Sequence, residues 1–229
     1  MSKNKLQKFA EVKTFPNVIQ CFDAQKAVLQ NNEGAQLELR EQWRSEFFQN
    51  KNPLVLELAC GKGDYTLGLA RKHPEKNFLG IDIKGARIWK GAKKALNEGL
   101  QNVGFLRIRI ELLEQVFDQN EIDEIWITFP DPFPRKVRQN RRLTSPRFVD
   151  IYRHILKPGG KIHLKSDADS LFEYTLEVLE ELNIPPIAVI EDIYTLKEVP
   201  EDLQIKTFYE RQHLEAGKTI KYISFTLGK

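Results

Sequence analysis

From Pro53 onward, short apolar runs alternate with amphipathic stretches, and this alternation restricts the chain more than any other feature. Leu54–Leu58, Phe78–Ile81, Val103–Arg107, Glu124–Phe129 and Lys161–Lys165 read as buried strands. Between them, Tyr65–Lys72, Lys84–Asn97 and the stretch from Pro146 to Leu156 read as helices. Ser145 before Pro146 suits a helix start. Asp169 to Leu182 reads as the next helix, and Ile187–Ile190 and Lys221–Leu227 as two further strands. Strands alternating with helices imply a mostly parallel sheet covered on both faces, an α/β doubly wound fold. The stretch Ile193 to Gly217 is irregular and long for a plain connection, which suggests a functional loop. Before Pro53, Leu39, Trp43 and Phe47 recur at helical spacing and predict an amphipathic helix packed on the sheet. The expected division is an N-terminal extension over 1–50 and one domain over 51–229.

A chain of 229 residues suits one such domain, and no apolar run is long enough to cross a bilayer. Lys3, Lys5, Lys8 and Lys13 precede no apolar stretch, so no signal peptide is expected and the cytoplasm is the expected compartment. Cys21 and Cys60 make no disulfide framework, and the four histidines are scattered, so no metal site is expected. The net charge of +3 says little, but its distribution says more. Arg135, Lys136, Arg138, Arg141, Arg142 and Arg147 form one run without an acid, and Lys84, Arg87, Lys90, Lys93 and Lys94 another. Local positive surface of this kind suits a phosphate backbone.

Glu57-Leu-Ala-Cys-Gly61-Lys-Gly63-Asp64 follows the first of these strands and opens a helix. Gly61 and Gly63 permit a tight turn and close approach of backbone to a ligand. Asp82 ends the second strand, where a carboxylate can accept hydrogen bonds from ribose hydroxyls. NAD and S-adenosyl-L-methionine both fit this geometry. The NAD fingerprint needs a third glycine where Thr66 stands, and Glu57 would repel a phosphate but suits a cation. The residues therefore favour S-adenosyl-L-methionine, with an empty structural turn as the bland alternative.

Phe129-Pro-Asp-Pro-Phe-Pro-Arg135 follows the fourth strand, at the edge where a doubly wound sheet binds ligands. Three prolines stiffen it, holding Asp131 in a rigid frame, and Phe133 offers a flat face for a base. The N1–H and N2–H donors of guanine call for carboxylate acceptors, and Asp131, Asp167 and Glu210 are candidates. Nitrogen N7 already has a lone pair, so methyl transfer to it needs no base; positioning and charge stabilisation suffice.

The residues resemble the bacterial tRNA (guanine-N7-)-methyltransferases over most of the chain after about Leu54. The resemblance is carried by Phe129–Arg135, Arg141-Arg-Leu-Thr144, Lys157-Pro-Gly-Gly160, Lys165-Ser-Asp167 and Thr207-Phe-Tyr-Glu210, in the family's order. It implies a class I AdoMet-dependent methyltransferase (Rossmann-like) fold, with a seven-stranded sheet whose last strand is antiparallel. It implies a tRNA substrate, usually guanosine 46 of the variable loop, and a monomer or homodimer is expected. By motif match, Glu57, Gly61, Gly63, Asp82, Arg109 and Asp131 would face the cofactor, with Asp131 also at the guanine. Arg135, Asp167, Thr207, Phe208, Tyr209 and Glu210 would hold the RNA. The chain departs from the family at Ala59, where glycine is frequent, and at Phe133, where tryptophan is. At Arg109 the family places an acid or asparagine, and arginine cannot accept a hydrogen bond from adenine. Three other functions compete: a methyltransferase acting on an exocyclic amine, a tRNA-binding module without catalysis, and an NAD oxidoreductase, which the missing third glycine and the lack of a substrate domain disfavour.

Overall fold

Leu54–Leu58 is buried at every position, and a strand buried on both faces belongs in the middle of a sheet. A computed structural model, describing residues 3–228, places it there. Helix α1 (Lys3–Val12) comes first, followed by strands β1 (Val18–Cys21), β2 (Leu29–Gln30) and β3 (Gln36–Leu37). Then come β4 (Leu54–Leu58), α2 (Asp64–Lys72), β5 (Asn77–Ile81), α3 (Gly85–Asn97), β6 (Val103–Arg107) and α4 (Leu113–Val116). They are followed by β7 (Ile122–Thr128), α5 (Pro146–Ile155), β8 (Leu156–Ser166), α6 (Asp169–Glu181), β9 (Pro186–Ile190), α7 (Phe208–Glu215) and β10 (Lys221–Thr226).

The strands form one sheet in the order β3-β2-β1-β6-β5-β4-β7-β8-β10-β9. Strand β4 pairs in parallel with both β5 and β7, so the winding reverses there. At such a reversal the connections leave in opposite directions and a crevice opens beyond the carboxyl ends of the strands. The last strand, β10, is antiparallel to its neighbours β8 and β9. Separate apolar clusters cover the two faces of the sheet.

Among the described residues the sheet has ten strands, three more than expected. Strand β1 joins the edge in parallel with β6, and β2 and β3 continue outward as antiparallel pairs. Val18–Cys21 is buried on both faces and shows no alternation, while β2 and β3 are two residues each, too short for any periodic signal. The helix expected around Leu39, Trp43 and Phe47 is instead one π-helical turn, Trp43–Phe47. The core-facing choice of residues holds: Leu39 and Trp43 are buried, and the Trp43 indole donates to the Val116 carbonyl at 2.9 Å. The irregular stretch 193–217 contains α7, which Thr207 and Glu210 start with a reciprocal capping box.

Candidate active site

The turn after β4 runs through left-handed backbone at Ala59 (φ 56°), Gly61 (φ 57°) and Gly63 (φ 70°). A Cβ on Gly63 would lie 2.6 Å from the Phe105 ring, so packing as well as backbone angle requires glycine there. At Gly61 an added Cβ would meet nothing nearer than the Ala59 carbonyl at 3.9 Å; the residue is buried, and Ala59 is the residue of this turn that lines the cleft. Ala59 adopts the angle that glycine would take without cost, so the turn keeps its shape while carrying strain.

Two acids brace this turn. Asp82 accepts the Gly61 amide on Oδ2 at 3.0 Å and the Lys84 amide on Oδ1 at 2.8 Å. Each carboxylate oxygen can accept twice, so Asp82 keeps acceptor capacity where it lines the cleft. Glu57 is buried behind the turn rather than among the cleft-lining residues. Its Oε2 accepts the amide of Thr66 at 2.7 Å and the Thr66 hydroxyl, and its Oε1 accepts the Thr128 hydroxyl at 2.6 Å. Burial pushes its carboxyl up to about 7, against the lowering effect of these hydrogen bonds.

Across the cleft, the segment after β7 is strained and clamped. Phe129 (φ 48°) and Phe133 (φ 41°) are held in left-handed backbone that bulky residues rarely adopt. Asp131 accepts the Phe133 amide at 3.1 Å and is otherwise exposed to the cleft. Arg142, counted in the basic run, is not a surface charge: it is 2% exposed. Its guanidinium donates to the carbonyls of Pro132 (2.9 Å) and Phe133 (3.3 Å) and lies over the Tyr174 ring at 4.5 Å. It therefore fixes the loop that presents Asp131. Arg141 and Arg147 of the same run line the cleft, whereas Arg135 is exposed outside it.

The third wall comes from α7 and the end of β8. Tyr209 and His213, one helical turn apart, both face the cleft, and the His213 ring stacks on Phe129 with centroids 5.8 Å apart. Asp167 also lines it; its carboxylate accepts from Lys218 at 2.6 Å and lies 3.4 Å from His213 Nε2. Phe208 is exposed and does not line the cleft; the Lys62 ammonium lies over its ring at 3.2 Å. The structure sets Thr207 and Glu210 apart from these residues. Thr207 is the buried cap of α7, and Glu210 is fully buried. The Glu210 carboxylate accepts from Lys165 at 2.8 Å and from the Tyr194 hydroxyl at 2.7 Å. Burial lowers the Lys165 ammonium to about 8, against the raising effect of this carboxylate. Glu210 thus anchors α7 from within rather than presenting an acceptor to a base. His213 and Lys218 were missed in the sequence; the Thr-x-x-Glu cap at Thr207 is a readable helix start that puts Tyr209 and His213 on one face.

Together these walls enclose an open cleft of about 1670 Å³. Its floor beyond Asp82 is apolar at Ile83, Ile108 and Ile110, and Arg109 lies among them, exposed and 3.4 Å from Glu111. Apolar surface for a purine, a carboxylate with spare acceptors for a ribose and the end of a glycine turn, reached at Ala59, for an amino-acid tail are what S-adenosyl-L-methionine requires. The residues present fit that group. Among the described residues no cluster of three or more His, Cys, Asp or Glu could hold a metal ion.

A family profile described as "Putative methyltransferase" matches residues 51–223. A curated protein of Porphyromonas gingivalis named tRNA (guanine-N(7)-)-methyltransferase is 50% identical over 219 residues, 95% of this chain and 87% of its own length. A protein of the same name from Christiangramia forsetii is 49% identical over 227 residues, covering 99% of both chains. The chain belongs to the tRNA (guanine-N(7)-)-methyltransferase family. Among solved structures, a 16S rRNA methyltransferase superposes with a TM-score of 0.63 at 16% identity, over 82% of this chain and 92% of that one. A SAM-dependent methyltransferase from Aquifex aeolicus gives 0.52 at 16% identity, over 78% and 84%. These likenesses show the class I methyltransferase fold.

Proposed function

We propose that the chain transfers a methyl group from S-adenosyl-L-methionine to N7 of guanosine 46 in the tRNA variable loop. The observation that carries this reading is the position of Asp131. A strained, proline-rich loop holds its carboxylate at the cleft, between the cofactor-suited half around Asp82 and the half built by Asp167, Tyr209 and His213.

When bound, S-adenosyl-L-methionine would supply the electrophilic methyl group carried on its sulfonium sulfur, which is left as the neutral thioether of S-adenosyl-L-homocysteine. Asp82 would take the ribose hydroxyls, and the Gly61–Gly63 turn would receive the amino-acid end. Glu57 acts from behind, tying Thr66 of α2 to Thr128 of β7 and so setting the distance between the two halves. Guanine N7 brings its own lone pair, so no residue has to remove a proton. Asp131 offsets the positive charge that grows on the purine, and its rigid frame means that little reorganisation is needed at that moment. Tyr209, His213 and Phe133 offer ring faces for the base; stacking of this kind contributes about 1–3 kcal/mol. Arg135, Lys136, Arg138, Arg141 and Arg147 suit the phosphates around it. Residues 51–229 form the catalytic domain in this reading, with 1–50 an extension that widens its sheet.

The test is incubation of the protein with unmodified tRNA and methyl-labelled S-adenosyl-L-methionine, followed by digestion and nucleoside identification. Label in 7-methylguanosine, lost when guanosine 46 is replaced by adenosine, is expected. Label in a methylated exocyclic amine would overturn the N7 reading. Label that survives the replacement would overturn the position.

A further inference from the structure

The adenine amino group of the cofactor needs an acceptor, and the Arg109 side chain, which lines the cleft, offers only donors. The N-terminal strands bring another candidate to the same place. Strand β1 runs parallel to β6 with Gln20 beside Arg107, so the chain leaving β1 meets the chain leaving β6 at the ligand edge of the sheet. On that edge the order β4-β5-β6-β1 puts the glycine turn first, then Asp82, then Ile108–Ile110, then the loop after Cys21. Cys21, Phe22, Asp23 and Ala24 line the cleft together with Ile108, Arg109 and Ile110.

That loop is held firmly. Gln115 accepts the Ala27 amide at 2.9 Å and donates to the Gln25 carbonyl at 3.3 Å, pinning the loop to α4. Asp23 Oδ1 accepts the amides of Gln25 (2.7 Å) and Lys26 (2.9 Å). Among the described residues nothing donates to Asp23 Oδ2. The Lys26 and Gln25 amides hold the carboxyl below the usual carboxylate range, so it is an acceptor only. The Arg109 carbonyl accepts the Leu112 amide at 3.0 Å; Glu111 Oε1 faces the Arg109 guanidinium at 3.4 Å, which leaves Glu111 Oε2 as the competing carboxylate acceptor in the cleft.

We propose that Asp23 is the residue that selects adenine, its Oδ2 accepting the N6 amino group, with the β1–β2 loop as the outer wall of the base pocket. The proposal rests on the cofactor reading above. It makes the N-terminal extension part of the cofactor site.

The test is calorimetric titration with two ligands, S-adenosyl-L-homocysteine and its inosine counterpart, in which an oxygen replaces the amino group. The proteins are the wild type, Asp23→Asn and Glu111→Gln. Asparagine keeps Oδ1 and therefore the turn, and replaces Oδ2 by a donor. The wild type is expected to prefer the adenosine ligand by about tenfold, the discrimination that one charge-assisted hydrogen bond supplies. Asp23→Asn should bring the two affinities within about threefold of each other, because its amide can now donate to the inosine oxygen. Glu111→Gln should keep the wild-type preference. An unchanged preference in Asp23→Asn, an equal loss of both ligands, or a preference that collapses in Glu111→Gln instead would overturn the proposal and leave the cofactor reading standing. No binding of either ligand by the wild type would overturn both.

Discussion

Glu210 separates two accounts of α7. Its sequence context offered it as an acceptor for guanine, whereas the structure buries it completely against Lys165. The substitution Glu210→Gln keeps the volume and removes the charge. It leaves the Lys165 ammonium buried with only the Leu203 and Ile205 carbonyls, at 2.8 and 3.0 Å, and a neutral amide. Removing one partner of a buried ion pair costs about 3–5 kcal/mol. For a chain of this size each kcal/mol lowers Tm by about 2–4 °C, so a fall of about 6–20 °C is expected in differential scanning calorimetry. The double variant Lys165→Met/Glu210→Gln should be less destabilised than the two single changes added together, because it no longer buries a lone charge. Cofactor affinity should hold at temperatures where the variant is folded, since neither residue lines the cleft. If Glu210→Gln kept its Tm within about 2 °C of wild type while its KM for tRNA alone rose, the buried-anchor reasoning would be refuted and Glu210 would act on substrate.

Other consequences follow from the same geometry. The folded Glu57 carboxyl titrates at about 7 against 4.5 unfolded, so the folded chain binds more protons in that window and loses stability as pH rises through it. Glu57→Gln should flatten the loss, which amounts to at most about 3 kcal/mol, in denaturant titrations run from pH 5 to 8. Arg142→Met removes two hydrogen bonds from a buried guanidinium to the Asp131 loop and should lower kcat by about tenfold or more with little change in cofactor affinity, as read by single-turnover kinetics. Gly63→Ala should abolish cofactor binding through its clash with Phe105, whereas Ala59→Gly should raise stability by about 0.5–1 kcal/mol by relieving left-handed strain, both measurable by thermal melts with and without ligand.

The sequence by itself determined the doubly wound sheet, the glycine turn after β4 and the Asp131 loop after β7. These are local matters: β4 is apolar at most positions, glycine is recognisable where φ is positive, and three prolines stiffen a segment whatever surrounds it. It also marked the residues before Pro53 that reach the core, Leu39 and Trp43, but not their backbone form or the strands at 18–37, which exist only because β6 offers an edge to pair with. Only the tertiary structure decided which polar residues face the cleft. An arginine in a basic run and a glutamate in a substrate motif look like surface groups in a sequence. Arg142 is buried because the loop folds back to aim the carbonyls of residues 132 and 133 at it, and Glu210 because an ammonium at 165, far off in the chain, converges on it. Charge and spacing along a chain constrain what a side chain can bind, but the partner that binds it is chosen by folding.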